Sequence, residues 1–251
     1  MALERDKDFA AYTDAERAIA KHLLARLARR GPTRRSRRLR PSHRGRRLDL
    51  QRTLRDAMRS GGEPVRLAWR APALAPRPLV LVVDVSGSMA PYARVLLQYA
   101  QAAVTARRRV ECFAFGTRLT RITRELHDRD PDRALDRAAR AVADWSGGTR
   151  IGASLATLNR EHGRRLGRGA VVVVLSDGWD TGDPEQLGRE VARLRRSAHR
   201  VIWLNPLKAA PGYEPLARGM AAALPHADHF LAGHSLRSLE ALAGLLEEGI
   251  S

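Results

Sequence analysis

Several things are scarce or missing in this 251-residue sequence, and each shortage excludes something. There is one cysteine, Cys112, so no disulfide forms within the chain. Set in the apolar run Val110-Glu111-Cys112-Phe113, it reads as a small buried hydrophobe. No apolar stretch approaches the ~18 residues that a membrane-spanning helix needs. The opening Met1-Ala2-Leu3-Glu4-Arg5-Asp6 has no apolar segment of the kind a secretion signal carries, so the expected location is cytoplasmic. A GxxxxGK phosphate loop is absent, which leaves any ATP hydrolysis to another protein. Gly152-Ala153-Ser154 follows no strand and lacks the second glycine of a hydrolase elbow, so Ser154 reads as a helix residue and no catalytic residue is assigned.

What is present is an ordinary apolar fraction, 44%, enough for one large domain plus an appendage, and a formal net charge of +18. The charge is concentrated early. From Arg29 to Arg47 the chain reads RRGPTRRSRRLRPSHRGRR, without an acidic residue, whereas both signs mix after Pro78. Such a run selects acidic partners without fixing a fold. It is read as a basic arm lying on an acidic partner or on the protein's own surface. The competing reading is nucleic-acid binding, because arginines neutralise phosphates; against it, the run has no interleaved aromatics.

Along the chain, Thr13-Asp14-Ala15-Glu16 is a capping box opening a helix whose Ile19, Leu23 and Leu27 share a face, and Gly31-Pro32 ends it. Asp49 caps a short helix with Leu50, Leu54 and Met58 along one side. Val65, Leu67 and Trp69 alternate as a strand does. Ala71 to Pro78 (APALAPRP) reads as a stiff connector, giving a basic, partly helical N-terminal extension (1–70), a linker (71–78) and a main domain (79–251). Beyond the linker, apolar runs alternate with amphipathic ones. Strands are expected over Leu79–Asp84, Val110–Phe115, Ala170–Leu175, Val201–Leu204 and at Phe230-Leu231. Helices are expected over Pro91–Arg108, Pro131–Asp144, Ile151–His162, Pro184–Ser197 and from Ser235. Alternation of this kind gives a doubly wound α/β domain with a mainly parallel sheet covered on both faces.

In such sheets ligands bind beyond the carboxyl ends of the strands, so the residues after each apolar run matter most. Three loops there are rich in oxygen: Asp84-Val85-Ser86-Gly87-Ser88, Gly147-Gly148-Thr149 and Ser176-Asp177-Gly178. Taken singly, each is an ordinary turn or helix cap. Taken together, with Gly87 turning the chain so that positions 84, 86 and 88 converge, they assemble carboxylate and hydroxyl ligands for Mg²⁺ or Mn²⁺. Zinc calls for sulfur or imidazole, and these loops have none. Two carboxylates, Asp84 and Asp177, leave such an ion incompletely neutralised and open to an anionic ligand from outside. Trp145, Trp179 and Asp180 flank the loops as candidates for a partner-binding rim, packing of the two tryptophans against the sheet edge being the alternative. A phosphatase of the haloacid dehalogenase type needs an aspartate at position 86, where serine stands.

The pattern Asp84-x-Ser86-x-Ser88 with Thr149 and Asp177 resembles the metal-ion-dependent adhesion site of von Willebrand factor A (VWA) domains, a Rossmann-like fold. The resemblance implies that the serines and threonine give hydroxyls, that the aspartates bind directly or through water, and that a partner's Glu or Asp closes the shell. Over nearly the whole chain, GRRLDL, GGEPVRLAWR, DVSGSM, FGTRLTRIT, DWSGGTRIG, SDGWD, SAHRVIWLNP and PGYEPLARGM are similar to CoxE-like proteins, although relatives often carry a longer N-terminal region. That likeness implies a non-catalytic adaptor working beside a MoxR-type AAA+ ATPase on a client metalloenzyme such as carbon monoxide dehydrogenase.

Overall fold

The computed structural model describes residues 4–61, 66–143, 148–163, 169–210, 212–215 and 217–248. The described chain falls into two compact units, one of residues 4–32 with 77–248 and one of Thr33–Pro76. This differs from the division at 71–78: the opening helix belongs to the larger unit.

Helix α1 (Asp14–Ala28) begins with the capping box. Thr13 Oγ1 accepts from the Glu16 N–H (3.3 Å), and the Glu16 carboxylate accepts from the Thr13 N–H (2.8 Å). Its most buried stripe is Ala20, Leu24 and Ala28, one position round from Ile19, Leu23 and Leu27, which lie half-buried beside it. Alanines on that stripe let α1 approach its neighbours closely, which longer side chains would prevent.

The smaller unit is built of β1 (Thr33–Ser42), β2 (Arg47–Leu48), helix α2 (Leu50–Arg59) and β3 (Trp69–Pro76), with antiparallel strand order β1-β3-β2. The arginine run is therefore largely a strand, and most of the expected connector is β3. Val65, the expected start of a strand, lies outside the described residues; β3 begins at Trp69. Two prolines sit in this middle strand because β2 pairs only with Arg70 and Trp69. From Ala71 onward β3 is paired on one side alone, where a missing N–H is tolerated. In α2 the side chain of Asp49 accepts from the Arg52 N–H, and the Ala68 N–H donates to Thr53 Oγ1 (3.0 Å). That bond turns Thr53 and Ala57 inward and leaves the side that carries Leu50, Leu54 and Met58 exposed.

The larger unit continues through β4 (Leu79–Asp84), α3 (Ala90–Ala106), β5 (Val110–Phe115), β6 (Leu119–Arg121), α4 (Pro131–Ala141) and α5 (Ile151–Thr157), which passes into a π-helical turn to His162. Then come β7 (Val171–Leu175), α6 (Pro184–Ser197), β8 (Arg200–Asn205), α7 (Arg218–Ala223), β9 (His229–Ala232) and α8 (Leu236–Glu247). The sheet order is β6-β5-β4-β7-β8-β9, parallel throughout except for the short edge strand β6. This is the doubly wound α/β architecture expected from the apolar runs. Alternate residues of β4 explain why the run is apolar without a break. Leu79, Leu81 and Val83 join the core formed with α1, α3, α4 and α8, while Val80 and Val82 join that formed with α5, α6 and α7. Each such side chain, fully buried, contributes about 1.5–3 kcal/mol. Among the described residues no helix is long and apolar enough to cross a membrane.

The chain leaves β4 toward β5 on one side and returns as β7 on the other, so the strand order reverses at β4. The register pairs Val83 with Leu175, which brings the loops after β4 and β7 out side by side.

Candidate metal site

Asp84 is the last residue of β4 and is completely buried. Its Oδ1 accepts from the Ser86 N–H (2.9 Å), closing the turn, and its Oδ2 accepts from the Ser176 hydroxyl (2.6 Å) at the end of the neighbouring strand. Burial pushes the Asp84 carboxyl up to about 6; the hydrogen bonds from Ser176 and Ser86 oppose this, and the charge of Asp177 adds to it. Asp84 ends β4 and Asp177 follows β7, the strand paired with it, so the two acids emerge from neighbouring strand ends. Ser86 is buried, Ser88 is exposed at the first turn before α3, and their hydroxyl oxygens lie 3.3 Å apart.

Asp177 is buried as well. Its Oδ1 accepts from the Trp179 N–H (2.9 Å), but its Oδ2 is buried without any hydrogen-bond partner. Leaving a carboxylate oxygen in that state costs free energy unless something of positive charge meets it. The backbone that presents Asp177 is held tightly. Gly178 adopts φ +80°, and a Cβ there would stand 2.7 Å from Met220 Sδ, so only glycine fits this turn.

Thr149 is buried on the third loop, and its carbonyl accepts from both the Thr181 hydroxyl (2.6 Å) and the Thr181 N–H (3.0 Å). Asp180 ties the same two loops together. Its Oδ1 accepts from the N–H groups of Ile151 and Gly182, and its Oδ2 from Gly152, so its carboxylate closes the first turn of α5. Expected on the rim, Asp180 is instead turned inward as a positioning residue. Trp179 is 67% exposed, as a rim residue would be; Trp145 lies outside the described residues.

Three residues outside the expected ligand set hold these loops in place, and of them only Ser176 was named as part of an oxygen-rich loop. Ser176 links the loops through Asp84 and also accepts from the Gly178 N–H. Trp203 Nε1 donates to the Ser176 carbonyl (2.9 Å), and Asn205 Nδ2 to the Asp177 carbonyl (2.9 Å). Asn205 ends the apolar run of β8, so inspecting the residue after every such run, and not only the oxygen-rich loops, would have found it. Among the described residues no group of three or more His, Cys, Asp or Glu is placed to hold a metal. Any ion here would rest on two carboxylates supplemented by hydroxyls, a donor set that suits hard cations. Cys112 plays no part: it is fully buried, and burial pushes its thiol up.

The family model described as VWA domain containing CoxE-like protein matches residues 17–239. The chain belongs to this family. No curated protein matches it. Among solved structures, the CoxE-like chain is similar to an aerotolerance-related membrane protein of Bacteroides fragilis carrying multiple mutations to serine (14% identity, TM-score 0.45, 68% of this chain and 98% of that one). It is also similar to the conserved hypothetical protein BatB of Bacteroides thetaiotaomicron (15%, 0.45, 67% and 96%). A third is proximal thread matrix protein 1 of the mussel byssus, solved with a zinc-occupied MIDAS motif (14%, 0.43, 68% and 46%).

Proposed function

We propose that Asp84, Ser86, Ser88, Thr149 and Asp177 form a metal-ion-dependent adhesion site for Mg²⁺ or Mn²⁺, and that the CoxE-like chain is a protein-binding adaptor and not an enzyme. The observation that carries this reading is the Asp177 Oδ2 atom, buried and without a partner, in the loop after β7, whose neighbour β4 ends in the buried Asp84. A divalent ion supplies the missing positive charge together with an open coordination position for a carboxylate of a protein partner. The chain's own residues do the rest. Ser176 holds Asp84 in one orientation, Asp180 and Thr181 keep the Thr149 loop against the Asp177 loop, and exposed Trp179 offers apolar surface to whatever approaches. Membership of the CoxE-like family supports a MoxR-type AAA+ ATPase as a partner and a metalloenzyme such as carbon monoxide dehydrogenase as a client, acting in the cytoplasm.

Titration calorimetry with Mg²⁺, Mn²⁺ and Zn²⁺ tests the site. The wild-type chain takes up Mg²⁺ or Mn²⁺. Asp84→Asn weakens uptake by more than about a hundredfold, since loss of mere supporting groups already costs ~10–100-fold. Capture of an acidic peptide follows the metal and disappears with chelator. Absence of uptake of all three ions, with or without the acidic peptide, ends the proposal; preference for zinc corrects the metal.

A further inference from the structure

The smaller unit holds more than half of the molecule's net charge. Thr33–Pro76 contains thirteen arginines against Asp49, Asp56 and Glu63, a net +10 out of +18. Its sheet is pleated so that one face presents alternate residues of β3, namely Arg70, Pro72 and Leu74, all exposed. The register sets Leu39 opposite Pro72 and Arg35 opposite Leu74, which places an apolar strip along the middle of this face. Around it lie Arg35, Arg37, Arg44, Arg46 and Arg47, and together with Arg70 they line a groove of about 920 Å³ that has no acidic side chain in its wall. Arg70 is paired with Asp49; the other five make no ion pair among the described residues. A second groove shares Leu39, Arg47 and Arg70 and runs on to Leu48 and Leu50, at the start of the exposed apolar side of α2.

An apolar centre with an arginine rim is the composition of a protein-binding surface. Nucleic acid would satisfy the arginines but not the leucines, and the groove wall has no aromatic ring on which a base could stack. A second copy of the chain would bring the same positive charge. We infer that this sheet face is a docking site for an acidic, amphipathic segment of a protein partner, its carboxylates on the five arginines and its apolar side chains along Leu39, Pro72 and Leu74. The surface is separate from the proposed metal site in residues and in chemistry, and it does not depend on that proposal.

Fluorescence anisotropy of the full chain with a labelled peptide of alternating glutamate and leucine tests the inference. Duplex DNA, vesicles of phosphatidylserine with phosphatidylcholine, and a peptide with serine in place of leucine serve as comparisons. The glutamate-leucine peptide binds most tightly. Arg37→Gln with Arg46→Gln, both exposed and unpaired, weakens it about tenfold, and Leu74→Ser weakens it without changing its salt dependence. Asp84→Asn binds it as the wild type does, which separates failure here from failure at the metal site. Tighter binding to DNA or to vesicles, equal binding of the serine peptide, or affinity unchanged in both groove variants overturns the inference.

Discussion

In the larger unit every residue of β4 and β7 is buried, whereas among the described residues of Thr33–Pro76 the buried ones are Asp49, Thr53 and Ala57, two of them polar. One unit is held by apolar surface packed on both sides of a sheet. The other is held by its strand pairing and a few side-chain bonds, Asp49 to Arg70 and Ala68 to Thr53 among them. The lesson lies in what each has left over. The first has spent its leucines and valines on its own core and offers oxygen atoms at a strand end. The second keeps Leu50, Leu54, Leu67 and Leu74 in solvent, and a patch of that kind marks an interaction surface.

The widest gap between the units should appear on truncating Trp203, which is completely buried and also holds the Ser176 carbonyl. Trp203→Ala is expected to cost about 3–5 kcal/mol in urea denaturation, and a small loss would mean that the sheet's core is not the main support of the larger unit. Gly178→Ala, which forces a Cβ into Met220 at φ +80°, should cost about 1–3 kcal/mol and weaken Mg²⁺ uptake in the same protein; unchanged uptake would detach that turn from the site. In the smaller unit, Asp49→Ala removes a helix cap and the partner of Arg70, at about 1–2 kcal/mol. Hydrogen exchange should show the loss confined to residues 33–76, with the amides of β4 and β7 as protected as before. Leu54→Ala should change stability by no more than about 0.5 kcal/mol, against about 2–5 for Leu81→Ala. Equal costs would erase the distinction between the units.

The smallest effect concerns α1. The Lys7 ammonium and the bonds from Thr13 hold the Glu16 carboxyl down at about 2. A depressed value means that its contribution is present above the ordinary carboxylate range, near 4.5, and fades as pH falls toward 2. Glu16→Gln should therefore flatten the stability profile slightly between those values and leave neutral pH little changed apart from the lost ion pair. A profile identical to wild type would show that the capping box adds nothing in acid.

The larger unit was legible because strands buried on both faces must be apolar at every position, and LVLVVD and VVVVL announce themselves. The candidate ligands could be picked out because Asp84 ends one such run and Asp177 lies two residues beyond the other. The smaller unit was not, for an equally physical reason. A strand with arginine at five of its ten positions shows no apolar alternation, and prolines in β3 argue against a strand until it is seen that β2 stops after two residues. The exposure of Leu50, Leu54 and Leu67 could not be read either, because periodicity reports which side chains share a face, not whether that face is covered. Asp180 was misplaced on the rim because its partners are backbone N–H groups some 28 positions earlier, which no local pattern reveals.

The Asp180 carboxylate hangs on the segment that follows β7 and yet closes the first turn of α5. That segment cannot lift from the sheet without surrendering the amides of Ile151 and Gly152 to water, so a pull applied beside Trp179 arrives at the start of α5. Any movement of the loop after β7 is thereby linked to the winding of α5 through a single side chain.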